Sequence, residues 1–241
     1  MTTTADWSTL SNRLVEALDL AAPPIAITFS AERPDGVAPY DAPMPPPTPD
    51  GRTGRVPAGC VFWMKATEST FSTVAEDHGN CSVGSLTHGF KTLDEIAGNA
   101  DVAELVGAGW VTLDVVPQIP VVSERPGAIT YGPLADTPVD PDVVLIRLTG
   151  KQLMVLHDAM PSMHLEGKPQ CHIVAMAKEQ NAVAASVGCA LSRVRTGMPA
   201  REMTCAIPGP RLVEVLDALA TTTKADDAVE AYALEDARRF T

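Results

Sequence analysis

The chain has 241 residues, 45% hydrophobic and 20% charged, with a formal net charge of −12. That length and apolar content suffice for one sizeable core, and so acidic a surface repels a phosphate backbone, so nucleic acid is not expected as a partner. No apolar run reaches the ~18 residues that a spanning helix needs, and the first residues lack the basic-then-apolar order of a signal peptide. The expected setting is the cytoplasm, without a membrane partner.

In chain order, Trp7, Leu10, Leu14 and Leu18 recur every three or four residues. They predict an amphipathic first helix capped by Asp6 or Ser8. PPIAITF follows as a buried strand. Residues 34–57 hold a run of prolines, PMPPPTPD among them, and read as an extended surface loop. Residues 92–107 read as one helix ending at Gly107 or Gly109. WVTLDVVPQIPVV, GAITYGPL and DVVLIRL read as strands separated by Pro- and Gly-bearing turns. A helix is expected at 150–160, then MPSMHLEGKP as a linker. EMTCAIP is a strand, 209–220 a helix, and residues 225–239 a separate C-terminal helix. Strands and helices alternate without a strict βαβ rhythm. The expected fold is therefore a single α/β domain over 1–241, a mixed (α+β) sheet with flanking helices.

Four cysteines stand at matching places in two stretches of the chain. Cys60 precedes Cys81 by 21 positions, and Cys171 precedes Cys189 by 18. Each leading cysteine opens an apolar, helix-like run, GCVFWMKATE or QCHIVAMAKE. Each run leads to a strand-like stretch, FSTVAE or NAVAAS, and each trailing cysteine lies in a glycine-bearing turn. LTGKQLMVLHDAM also resembles IPGPRLVEVLDAL. The pattern predicts an internal duplication, with pseudo-twofold halves at about 24–160 and 168–221. Packed about that axis, Cys60, Cys81, Cys171 and Cys189 would converge as ligands of an iron–sulfur cluster, 4Fe–4S foremost, or of another thiolate-bound metal. The bland reading makes each a small buried hydrophobe. Cys205, in an alternating strand, is taken as core.

AEDHGNCSVGSLTHG is the densest polar stretch in the chain. Its three glycines permit tight turns, and it crowds Glu76, Asp77, His78, Asn80, Cys81, Ser82, Ser85, Thr87 and His88 together. His78 and Glu76 are the candidate acid–base residues, and His78 with Cys81 is a candidate imidazole–thiolate pair. Asn80 and His88 are candidate cofactor contacts. The competing reading is a solvated capping loop in front of a helix starting near Ser82. Arg193 and Arg195, in CALSRVRTG, are a basic pair beside a cysteine turn. Of these, Arg193 is the candidate for a carboxylate, a phosphate or a cluster's charge. His157, His164 and His172 read as core, exposed and core or supporting positions. Nucleotide-binding, zincin and serine-hydrolase motifs are absent from the sequence.

The opening helix before PPIAITF, the GC at 59–60, AEDHGNCSVGSLTHGF, ITYGPLADTPVDPDVVLI, the PQC at 169–171, SVGCALSRVRTG and AIPGPRLVEVL together resemble the domain-of-unknown-function family 169. The resemblance spans about residues 7–220 and implies no particular activity. The family's usual aromatic before the asparagine of its DHxNC motif is Gly79 here, and an asparagine after the last cysteine is replaced by Ser192. The expectation at this stage is a metal or iron–sulfur protein, of redox or of lyase or desulfurase type, with a small-molecule ligand and a homo-oligomeric state. Two alternatives stand beside it. One is a non-catalytic small-molecule or haem-binding module. The other is a thiol enzyme with Cys81 as nucleophile and His78 as base.

Overall fold

The computed structural model describes residues 6–41, 59–79 and 81–240. Most of the predicted Pro-rich loop, and Asn80, lie outside the described residues.

Helix α1 (Trp7–Leu18) forms as its spacing predicts. The Asp6 side chain accepts a hydrogen bond from the Thr9 amide, and Leu10, Leu14 and Leu18 are buried. Strand β1 (Ile25–Ser30) follows. Next come α2 (Cys60–Lys65), β2 (Phe71–Thr73), a 3-10 turn over Ala75–His78 and α3 (Ser82–Thr87). Beyond them lie α4 (Leu93–Ile96), α5 (Ala100–Gly107), β3 (Ala128–Pro133), β4 (Val143–Leu148) and α6 (Gly150–Ala159). The chain closes through β5 (His164–Glu166), α7 (His172–Gln180), β6 (Ala184–Ser186), α8 (Ala190–Thr196), β7 (Met203–Pro208) and α9 (Leu212–Ala237).

The seven strands make one mixed sheet in the order β2-β3-β1-β4-β7-β6-β5. β5 pairs parallel to β6, and every other pairing is antiparallel. Both faces are covered, which explains why the central strands read as unbroken apolar runs. Within β4 the side chains alternate between two cores. Val144, Ile146 and Leu148 join the core under α1, α6 and α9, while Val143 and Leu145 join the core against α2 and α7. Cys205 is fully buried in the first core and Cys171 in the second. The one alternation thus assigns the cysteines to opposite faces of the sheet.

About the central pair β1–β4, the run α2-β2-α3-β3 on one side answers α7-β6-α8-β7 on the other. Cys60 opens α2, Cys171 stands just before α7, and Cys81 and Cys189 stand at the N-caps of α3 and α8. The halves drawn from the sequence matched β4–α6 with β7–α9. Those strands are instead neighbours in the sheet, and the opposite number of β7 is β3. A correspondence of element order is weaker than a superposition, and it does not confirm the expected duplication.

Three sequence expectations need correction. The single helix at 92–107 breaks into α4 and α5, because Asn99 takes an extended conformation at the α5 N-cap and its side chain donates to Ser82 Oγ at 2.7 Å. The stretch 110–122 forms no strand; it holds a 3-10 turn, Val116–Gln118, with Pro117 inside and Pro120 just beyond. The two helices expected at 209–220 and 225–239 are one, since a 3-10 turn, Gly209–Arg211, leads into the 26-residue α9. Thr222 and Thr223 bridge the polar junction by donating their hydroxyls to Ala218 O and Leu219 O. The supposed linker also contributes β5 at the sheet edge. Among the described residues, no helix is long and apolar enough to cross a membrane.

Candidate functional site

Cys60, Cys81, Cys171 and Cys189 line one small cavity, closed by Val83, Trp110, Pro169, Gln170, Leu191, Ser192 and Arg195. Its volume is about 30 Å³, room for about one or two waters. All five cysteines of the chain are free thiols.

The four thiols are not equivalent. Burial is the largest influence on Cys60 and pushes its thiol up to about 11, against a lowering hydrogen bond with Ser192. Burial also raises Cys171 well above the ordinary thiol range, and the charge of Cys81 adds to it, while a hydrogen bond with Thr87 opposes it. Both remain protonated at neutral pH. Cys81 caps α3, its sulfur accepting from the Gly84 amide at 3.4 Å. Arg195 supplies the counter-charge. Its own burial works against the guanidinium, but the charge of Cys81 and donation of a hydrogen bond toward that sulfur, with help from Cys60 and Cys189, raise its pKa on balance. Gln170, only 2% exposed, donates through Nε2 to Ser192 Oγ at 2.6 Å and leaves Oε1 without a partner. Ser192 thus holds Gln170 within the same cavity wall as Cys60.

Sharing a cavity wall is a weaker condition than sharing an ion. Among the described residues, no group of three or more His, Cys, Asp or Glu side chains could hold a metal ion. This overturns the reading of Cys60, Cys81, Cys171 and Cys189 as ligands of an iron–sulfur cluster or another thiolate-bound metal. The physical reason is geometric: residues that line a common wall do not thereby bring three donor atoms within reach of one ion.

The other sequence candidates fall elsewhere. Glu76 is exposed on the 3-10 turn, away from the cavity lining. His78 is fully buried against Phe62 and Phe90, with ring centroids at 4.7 Å in each case. Its Nε2 lies 3.0 Å from Thr73 Oγ1, and Nδ1 has no partner. Thr73 Oγ1 gives its one hydrogen to Ile129 O, so His78 Nε2–H is the donor to Thr73. The Cys81 amide donates to His78 O at 3.4 Å, but no hydrogen bond joins the imidazole to the Cys81 sulfur, so the imidazole–thiolate pair does not form. Burial, then the neighbouring His88, hold His78 far below the ordinary imidazole range. His88 is equally buried and donates Nδ1–H to Gly84 O at 2.8 Å. Burial pulls its pKa down to about 4.

His88 does serve the site indirectly. A Cβ on Gly59 would lie 2.7 Å from His88 Cε1, so the ring packs where only glycine fits, directly before Cys60. Gly188, directly before Cys189, plays the same part at a φ of +124°, with a would-be Cβ 2.7 Å from Arg193 Nη2. Arg193 is itself spent on the carbonyls of Pro199, Val187 and Glu202, so Arg195 is the cation of the pocket. The polar density of the 76–88 stretch is largely satisfied from within: Ser85 donates to His78 O, Thr87 to Gly84 O, and the Val74 amide to Asp77. Ser82 donates to Asp101 on α5. Gln170 and Trp110 were missed by the sequence reading; Gln170, directly before Cys171 in PQC, carried the one available signal.

A buried sheet face with paired cysteine-capped helices is the setting of this site, and the family comparison agrees with its motifs. The chain belongs to the DUF169 family, described as uncharacterised ArCR, whose model matches residues 13–218. No curated protein and no solved structure matches the chain.

Proposed function

We propose that the chain is a thiol-exchange protein that captures a small sulfur-bearing ligand on Cys81. The observation that carries this reading is the convergence of four free thiols on one cavity that, among the described residues, is also lined by one guanidinium, that of Arg195. The attacking form of a thiol is the thiolate, and Arg195 lines the same cavity as Cys81. Burial holds Cys60 and Cys171 protonated. The unpartnered Gln170 Oε1 offers an acceptor to an N–H or O–H of the ligand. With a disulfide R–S–S–R, the Cys81 thiolate forms a Cys81–S–S–R bond and RS⁻ leaves. No outside oxidant is needed, because the ligand's own S–S bond accepts the electron pair. Attack by a neighbouring thiol then releases the second RS⁻ and leaves a protein disulfide. The cytoplasm is the proposed setting, supported by five free thiols.

The test is exposure of the reduced full chain to dimethyl disulfide, followed by peptide mapping. The expected result is a methylthio adduct, or a protein disulfide, at Cys81. Arg195→Leu should slow it by about tenfold, the loss of roughly one charge-assisted interaction, without a matching fall in Tm. If all four pocket thiols stay reduced while an exposed model thiol reacts, the reading fails.

A further inference from the structure

Beside the thiol cavity lies a second space whose lining is wholly apolar, with Leu86, Ile96, Leu105, Val116 and Ile119 prominent. Three residues line both spaces: Val83, Trp110 and Pro169. The thiol cavity and the apolar space thus share a wall of Val83, Trp110 and Pro169. Lys168 sits over the Trp110 ring, its Nζ 4.7 Å from the centroid, a cation–π contact tying the insert between α4 and β3 to the segment before Cys171. That insert is lightly held: from residue 97 to 121 no residue is buried, α5 included. Few buried contacts mean a low cost of local opening. The space itself is about 30 Å³, so an occupant larger than a water or two enters only as the insert shifts or Trp110 swings.

We infer that this apolar space receives the hydrocarbon part of the ligand whose sulfur reacts at Cys81. The ligand class is then a disulfide carrying a short alkyl or aryl group, rather than a charged one. The inference rests on the thiol-exchange reading and adds a chain specificity to it. Arg195, Gln170 and Ser192 stand among the lining residues on the sulfur side, whose free surface is otherwise apolar, and the second space is apolar throughout. A two-part ligand fits the two together: a sulfur with a polar donor at one end and a hydrocarbon at the other.

Alkyl methanethiosulfonates probe this directly. The thiolate attacks the sulfenyl sulfur, a protein–S–S–R bond forms, and methanesulfinate leaves. Rates at Cys81 are measured on the full chain for methyl, n-pentyl and trimethylammonioethyl reagents, each normalised to N-acetylcysteine. Half-burial of the four extra methylenes predicts a normalised pentyl-over-methyl preference of about tenfold, and the cationic reagent should be slower than methyl. Leu105→Trp, at a partly exposed position lining the apolar space, should cancel the preference by lowering the pentyl rate. Equal normalised rates for all three reagents overturn the inference but leave the thiol reading intact. So does a preference that survives in Leu105→Trp. A Cys81 inert to every reagent overturns both.

Discussion

Two fully buried histidines, His78 and His88, make the fold acid-sensitive in a window that carboxylates do not reach. His88 is fully buried, and burial, partly opposed by its bond to Gly84 O, lowers its pKa from an ordinary 6.5 to about 4. Between these values the unfolded chain binds a proton that the folded chain refuses. Stability is therefore complete above about pH 6.5 and falls as the pH drops toward 4. Integrating this single site from pH 7.5 to pH 5 gives a loss of about 2 kcal/mol. For a chain of this size that is about 4–8 °C in Tm. His78, shifted the same way, adds to the loss. Glu95, held down to about 2 mainly by the Thr92 amide and then by Arg125, titrates below this range and does not confuse it. The assay is thermal unfolding across pH 5–7.5 for the wild type and His88→Met. The variant starts less stable, yet its Tm should fall by about 4–8 °C less over the same interval. Nitrogen-resolved NMR should show His88 neutral at pH 6 with the proton on Nδ1, as the bond to Gly84 O requires. Parallel Tm–pH curves, or a His88 that protonates near pH 6.5, would refute the reasoning.

Two further outcomes follow from the same geometry. Gly188→Ala should cost about 1–3 kcal/mol, since it combines a φ of +124° with a contact on Arg193 Nη2; Gly36→Ala, at φ +78° with open space around it, should cost about 1–2 kcal/mol by strain alone, so equal thermal shifts for both would remove the packing argument. Alkylation of Cys60 by iodoacetamide should keep accelerating about tenfold per pH unit until about pH 11, and a plateau near pH 8.5 would show that burial does not hold the thiol protonated.

Much of the architecture was readable because both faces of the sheet are covered. The apolar runs IAITF, AITY, VVLIRL and TCAIP had no other reading than buried strands, and each became one. The 110–122 stretch shows the opposite case. Its Val and Ile residues mimic a strand, but strand pairing is a long-range property, and β3, the next element, is already flanked by β1 and β2. The polar 76–88 stretch misled for a related reason. Density of polar groups signals a site only if they lack partners, and here the backbone and Asp101 supply them. The choice between Arg193 and Arg195 was beyond reach in one dimension. Both lie on α8, and two residues of helix rotate a side chain by about 200°, so one faces the cavity and the other must face away. Only the packing of α8 against α2 decides which.

That packing also explains why the cysteines meet without needing an ion between them. Cys60 and Cys171 stand at the starts of the two helices that cover one face of the sheet, and Cys81 and Cys189 cap the helices that follow β2 and β6. Each glycine–cysteine pair, Gly59–Cys60 and Gly188–Cys189, has a planar side chain wedged against the glycine, His88 in one case and Arg193 in the other. Neither wedge touches the cavity, yet each fixes the backbone that aims a thiol at it. A side chain larger than glycine would push that backbone off the wedge and swing the sulfur with it. The sites most sensitive to substitution are therefore the glycines beside the thiols as much as the thiols themselves. A reactive-thiol reading accounts for this better than four independent core cysteines would, because a core residue needs burial and volume but no such control over the direction of its sulfur.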